Sequence, residues 1–171
     1  MSTSSARDVR TVPRRTLHFD RLGDALADLQ RLAGGRLDAT GNRSPEEIVT
    51  HLAVAIELNL DGIDPSIIPL PLRVVGRVAG GPIGRYLASH PMRPGVTTGP
   101  AATSVFWPAV DGDLPDTIDR YAAAIRRLHQ ADTLPKHPLF GTMSPEQAEQ
   151  FHCRHAELHL SFLHPAGDAV A

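Results

Sequence analysis

Apolar residues recur three and four apart in four stretches of the chain, the period of one face of an α-helix. Leu22, Ala25, Leu26, Leu29 and Leu32 mark a first helix over 21–33, with Asp20 placed to cap it and Gly34-Gly35 to stop it. Ile48, His51 or Leu52, Ala55 and Leu58 form the inward stripe of a second, over 45–60. Its start reads Ser44-Pro45-Glu46-Glu47, a cap residue, a proline at the first helical position and a carboxylate at the third. A third helix, 114–130, begins after Asp113 and turns Ile118, Tyr121, Ala122, Ile125 and Leu128 inward. The fourth covers 144–163, SPEQAEQFHCRHAELHLSFL, and opens on a second Ser-Pro cap with Gln147 at the third position. No alternating strand pattern competes. An all-α fold follows, a four-helix bundle on these main helices.

Between the second and third helices, residues 61–113 form an insertion of another character. Short helices are predicted at 70–79 and 83–89, separated by Gly80-Gly81-Pro82, with Arg73, Arg77 and Arg85 making one face basic. The run PMRPGVTTGPAATSVFWP, 91–108, predicts an irregular extended segment of the kind that covers a pocket. Its Phe106 and Trp107 are expected to pack rather than to stack on a ligand. Residues 1–16 have no apolar period and are read as a flexible tail, residues 165–171 as a second tail, and 17–164 as one domain.

Composition narrows the function. Seventeen basic against nineteen acidic residues leave a formal charge of −2, which argues against a nucleic-acid surface. No apolar run approaches a membrane span. One cysteine, Cys153, and no signal-peptide pattern suggest a reducing, cytoplasmic setting, with the thiol packed as a small hydrophobe.

The chemistry concentrates on the last helix. His152, His155 and His159 share one stripe with Phe151 and Phe162. Three imidazoles facing a core must be kept neutral by hydrogen bonds, form a pH-sensitive network, or bind a metal. The i, i+4 pair His155 and His159 lets one helix offer two nitrogens to one ion, and His51 brings a third from across the bundle. Three ligands leave positions open, as catalytic sites do. Ala156 follows His155, so this is not the His-Glu-x-x-His helix of metalloproteases. Glu149-x-x-His152 has a di-iron form but no second copy. His152 is the candidate for proton handling; Arg73, Arg77 and Arg85 are candidates for holding an anionic small-molecule substrate. The other histidines, His137 among them, are read as packed or surface residues.

Three segments carry a family resemblance: SPEEIVTHL ending at Leu52, HPLFG from His137 to Gly141, and HCRHAELHLSFL from His152, with TLHFDRLGDAL near the start in agreement. The chain resembles the DinB-like superfamily of metal-binding four-helix bundles, and within it the branch called domain of unknown function 1569. The resemblance implies one ligand on the second helix and a pair on the last, which fall on His51, His155 and His159. It implies a divalent ion, zinc or nickel, and a homodimer. Relatives of that kind include transferases using low-molecular-weight thiols and hydrolases, so a metal-dependent enzyme of either type is expected. The alternative is a non-catalytic helical bundle acting in stress or interaction. Arg43 stands where the wider superfamily often has tryptophan.

Overall fold

The structure is a computed structural model, and it describes residues 7–95 and 100–167. It is mostly helical, with one small two-stranded sheet. In chain order the elements are α1 (Leu22–Ala33), β1 (Leu37–Ala39), α2 (Pro45–Asp61), a 3-10 turn (Pro65–Ile67), α3 (Leu70–Ser89), α4 (Pro100–Phe106), α5 (Leu114–His129), α6 (Pro145–Leu160) and β2 (Leu163–Pro165).

Three of the helices begin on the caps that their sequences encode. Ser44 accepts from the Glu47 amide at 3.2 Å while Glu47 accepts from the Ser44 amide at 2.8 Å, and Ser144 with Gln147 repeats the exchange. Asp113 and Asp116 do the same for α5. Each exchange satisfies backbone donors that a helix start leaves unpaired. At α1 the expected cap is displaced by one residue. The N-cap is Arg21, whose amide donates to Asp24 at 3.0 Å, while the Asp20 carbonyl accepts from Gln150 of α6.

α2 lies at the centre, packed against α5 on one side and α6 on the other, with α1 closing against α5 and α6. Its buried residues run nearly all round, from Ile48 to Ile56, as expected of a helix with neighbours on several faces. Leu22, Leu29, Leu52, Ile56, Leu128 and Leu160 form the interior among the fully buried side chains.

Four differences from the sequence expectation have physical causes. The last helix stops at Leu160, and Leu163–Pro165 pairs antiparallel with Leu37–Ala39 in the register Leu37 to Pro165 and Ala39 to Leu163. Strands of three residues are too short to leave a period in the sequence. α3 is continuous through Gly80-Gly81-Pro82, where two short helices were expected. There Gly76, Gly80 and Gly84 are buried against the backbone of residues 138–141, and this close packing overrides the local tendency of glycine and proline to break a helix. Within the stretch expected to be extended, Pro100–Phe106 is helical and touches α2; residues 96–99 lie outside the described residues. Of the expected N-terminal tail, residues 7–16 are tied down: Arg15 donates to the Ser161 carbonyl and pairs with Asp28 at 2.7 Å, and Arg7 with Asn42 exchanges two bonds of 2.8 Å. Residues 1–6 and 168–171 are outside the described residues. No described helix is long and apolar enough to cross a membrane.

Candidate metal centre

α2 and α6 bring His51, His155 and His159 together. One ring nitrogen from each lies within 4.8 Å of the other two. A tetrahedral ion with nitrogen bonds of roughly 2.0–2.1 Å separates its ligand atoms by roughly 3.3 Å, so small side-chain adjustments close this triangle on an ion. His51 and His155 already approach at 3.1 Å between their Nε2 atoms.

The proton positions can be worked out from the neighbours. Nδ1 of His51 lies 2.7 Å from the carbonyl oxygen of Phe106, which can only accept, so Nδ1 carries the proton. His51 Nε2 is therefore left with its lone pair directed at His155. That is the outer-sphere arrangement that orients metal-ligating histidines. In the metal-free protein a proton on His155 Nε2 would bridge to His51, and His155 Nδ1 would be bare. Nδ1 of His155 is buried and has no hydrogen-bond partner among the described residues.

The site is electrostatically set against protonation. Burial, offset by the Phe106 carbonyl and reinforced by Arg43, holds His51 down at about 4. His155 and His159 lie well below the usual histidine value, first through burial and then through neighbouring imidazoles. Neutral rings at physiological pH are the form that binds metal. The indole of Trp107 stacks on His51 with centroids 3.9 Å apart and planes 1° from parallel, and the Arg43 guanidinium lies over the Trp107 ring, 4.7 Å from its centroid. Phe106 and Trp107 thus belong to the site. Their position beside a Pro-rich run gave no sign of this; a carbonyl contact is invisible in sequence.

His152 lies deeper, 3% exposed, with Nε2 at 3.2 Å from the side-chain amide of Asn59. Burial, with His137 and His51 adding, drives it to about 3, so its ring stays neutral. Arg73, Arg77 and Arg85 are exposed on α3, spaced along one i+4 ridge. Glu149 faces elsewhere, accepting from the Leu22 amide and lying 3.0 Å from His129. Cys153 is fully buried, and burial with nearby Glu149 pushes its thiol up to about 12. A surface groove of about 690 Å³ between α5 and α6 is lined by His129, Asp132, Glu146 and Glu149 and by no member of the triad.

A histidine that the pattern of apolar residues did not single out borders the same region. His137 stacks on Phe140 at 4.2 Å, Phe140 meets Phe151 at 5.0 Å, and Phe151 meets His155 at 6.2 Å. Its signal in the sequence was the HPLFG segment itself, a histidine two residues before an apolar pair and a glycine.

No curated protein and no solved structure matches the chain. A family model does match, over residues 11–166. The chain belongs to that family, described as Protein of unknown function (DUF1569).

Proposed function

We propose that the protein is a metal-dependent enzyme of the DinB-like four-helix-bundle type, holding a divalent ion, zinc or nickel, on His51, His155 and His159. The observation that carries this is the tautomer of His51. Its Nδ1 proton is held by the Phe106 carbonyl, which leaves Nε2 with its lone pair, and one ring nitrogen from each of the three histidines lies within 4.8 Å of the others. Among the described residues three side chains converge, which leaves coordination positions for a small ligand, as in catalytic rather than structural sites. A bound divalent ion lowers the pKa of a coordinated water or thiol toward neutrality and so supplies a nucleophile. The chain's own part is to orient that ligand and handle its proton: Trp107 stacks on the His51 ring, Phe151 adjoins His155, and His152, bonded to Asn59, is proposed for proton handling. The reactions that fit are hydrolysis of a small substrate and transfer of a low-molecular-weight thiol. Arg73, Arg77 and Arg85 are proposed to attract an anionic substrate from the α3 side, and a homodimer in the cytoplasm is the proposed working form.

The 3.1 Å contact between His51 and His155 supports a second reading, a metal-free imidazole network in a non-catalytic protein. Metal analysis after purification without an affinity tag separates the two. About one equivalent of divalent metal is expected in the wild type and close to none in His155→Ala. Absence of metal from both, after incubation with zinc or nickel, would establish the network reading instead. With metal present, ester substrates and small thiols distinguish hydrolysis from transfer.

A further inference from the structure

The turn from His137 to Gly141 is held more tightly than a surface connection requires. His137 and Gly141 bond each other's backbone at 2.9 Å in both directions, and Gly141 takes φ +75°, a conformation natural to glycine. The turn then lies directly on the glycine stripe of α3. A Cβ added to Gly80 would come within 2.8 Å of the Leu139 carbonyl oxygen, one on Gly84 within 2.9 Å of the Phe140 oxygen, and one on Gly76 would overlap the Pro138 oxygen. Four glycines, on two elements far apart in sequence, therefore serve one short turn. What they position is the imidazole of His137.

That ring has a defined tautomer. Its Nδ1 accepts from two backbone amides, Leu139 at 3.0 Å and Phe140 at 3.2 Å. A nitrogen that accepts twice cannot carry the proton, so in the neutral ring the proton is on Nε2. Nε2 lies on the side of the ring away from the turn and has no partner among the described residues. Burial keeps the ring neutral, down at about 4. The rings of Phe140 and Phe151 connect it to His155.

We propose that His137 Nε2–H, joined to the triad through the rings of Phe140 and Phe151, is a fixed hydrogen-bond donor for the triad's ligand, selecting ligands that present a carboxylate or carbonyl oxygen beside an aromatic or apolar body. This rests on the metal reading above and gives it a substrate class. The chemistry of the surroundings favours oxygen over sulfur. Imidazoles and aromatic rings adjoin the triad, and the carboxylates of α6, Glu149 and Glu157, are occupied by Leu22 and His129 and by Phe19 and Arg154. A neutral N–H donor gains most from an anionic oxygen acceptor and little from a thioether or thiol. Phe140 and Phe151 supply the apolar wall.

Benzoate is the probe. The cobalt(II)-loaded protein should show visible bands from histidine coordination, and benzoate should shift them. The variant His137→Phe keeps the stacking ring and removes the donor. It should leave the bands without benzoate unchanged and weaken benzoate at least ten-fold, while His137→Gln, with an amide N–H near the same place, should recover most of the affinity. Equal benzoate affinity in wild type and His137→Phe overturns the proposal, as does a cobalt spectrum that benzoate never alters; either leaves the metal reading standing. Absence of histidine-type cobalt bands in the wild type overturns both. If His137→Phe does not fold, imidazole nitrogen NMR of the zinc-loaded wild type decides. A proton on His137 Nε2 whose resonance moves with benzoate supports the proposal; a proton on Nδ1, or an Nε2 proton that benzoate leaves in place, overturns it.

Discussion

α6 and α3 are both helices that pack along their length on the rest of the molecule, yet they divide their residues in opposite ways. α6 buries Ala148, Cys153, Ala156 and Leu160 together with polar groups, His152, Arg154 and Glu157. α3 buries glycines and turns its large apolar residues outward, Leu70, Leu72, Val74, Val75, Val78 and Tyr86 all being at least half exposed. The difference lies in what each helix packs against. α6 meets side chains from α1, α2 and α3, so it can bury long groups where partners complete them: Arg154 bonds the Phe19 carbonyl and lies 2.9 Å from Glu157, which also accepts from the Phe19 amide. α3 also packs on α6, but its glycine face meets the bare backbone of the 138–141 turn, where a side chain has no room. A helix's buried face is therefore chosen by its neighbour rather than by its own hydrophobicity, and here the least apolar stripe is the inner one.

The comparison predicts first that acid destabilises the molecule through the buried imidazoles of α2 and α6 and, on the α3 side, through His137 of the turn beneath the glycine stripe. His51 and His152 are held at about 4 and about 3, well below the usual 6.5, chiefly by burial. Unfolded, each ring takes up its proton near pH 6.5; folded, each resists until far lower. The unfolded state therefore binds more protons below pH 6.5, so stability is complete above that value and falls as the pH is lowered toward the folded values. Each group accounts for up to about 1.4 kcal/mol per pH unit, and the two together for about 4 kcal/mol between neutral pH and pH 5. Urea midpoints of the chelator-treated protein at pH 7.5, 6 and 5 measure this. His155, His159 and His137 add in the same direction, so His152→Gln should lessen the slope by one group's share, up to about 1.4 kcal/mol per pH unit. A midpoint independent of pH over that range would show that the buried imidazoles are not held neutral.

Much of this division was legible in the sequence, though unevenly. The helix starts at Ser44, Asp113 and Ser144 could be read because a cap and its partner three residues on are a local signal. His51, His155 and His159 could be singled out because two of them share a helical period and the third falls on another inward stripe. α3 was misread as two pieces for the opposite reason. Gly80-Gly81-Pro82 looks like punctuation locally, and only the distant turn at 138–141 shows that the glycines are there for close approach. The same holds for Trp107 and Phe106, whose parts in the site depend on a stacked ring and a carbonyl supplied by an insertion 55 residues from His51. β1 and β2 were missed because three residues carry no period, and α4 because Pro and Gly on its N-terminal side hid a seven-residue helix.

The second prediction tests the glycine stripe directly. In an exposed helix, replacing Gly80 by alanine would stabilise by about 1 kcal/mol through helix propensity alone. Here the new methyl must displace the Leu139 carbonyl, and the cost of overpacking, about 1–3 kcal/mol, should win. Gly80→Ala is therefore expected to lower stability in thermal or urea unfolding. A stabilised Gly80→Ala would mean that the turn can move away freely, and the contrast between the two helices would lose its steric basis.

The smallest effect is expected on the outer side of the same helix. Val78 is 82% exposed, so its side chain contributes little burial in the single chain. Val78→Asp should change the unfolding free energy by no more than about 0.5 kcal/mol, the usual range for a surface substitution with no special contact. Aspartate has a lower helix propensity than alanine but is close to valine, so propensity adds almost nothing to the comparison. The measurement has to be made at several protein concentrations, because a residue covered by another molecule would respond differently at high and low concentration. A loss of more than 1 kcal/mol that persists on dilution would place Val78 within the folded interior, and α3 would then have two buried faces instead of one.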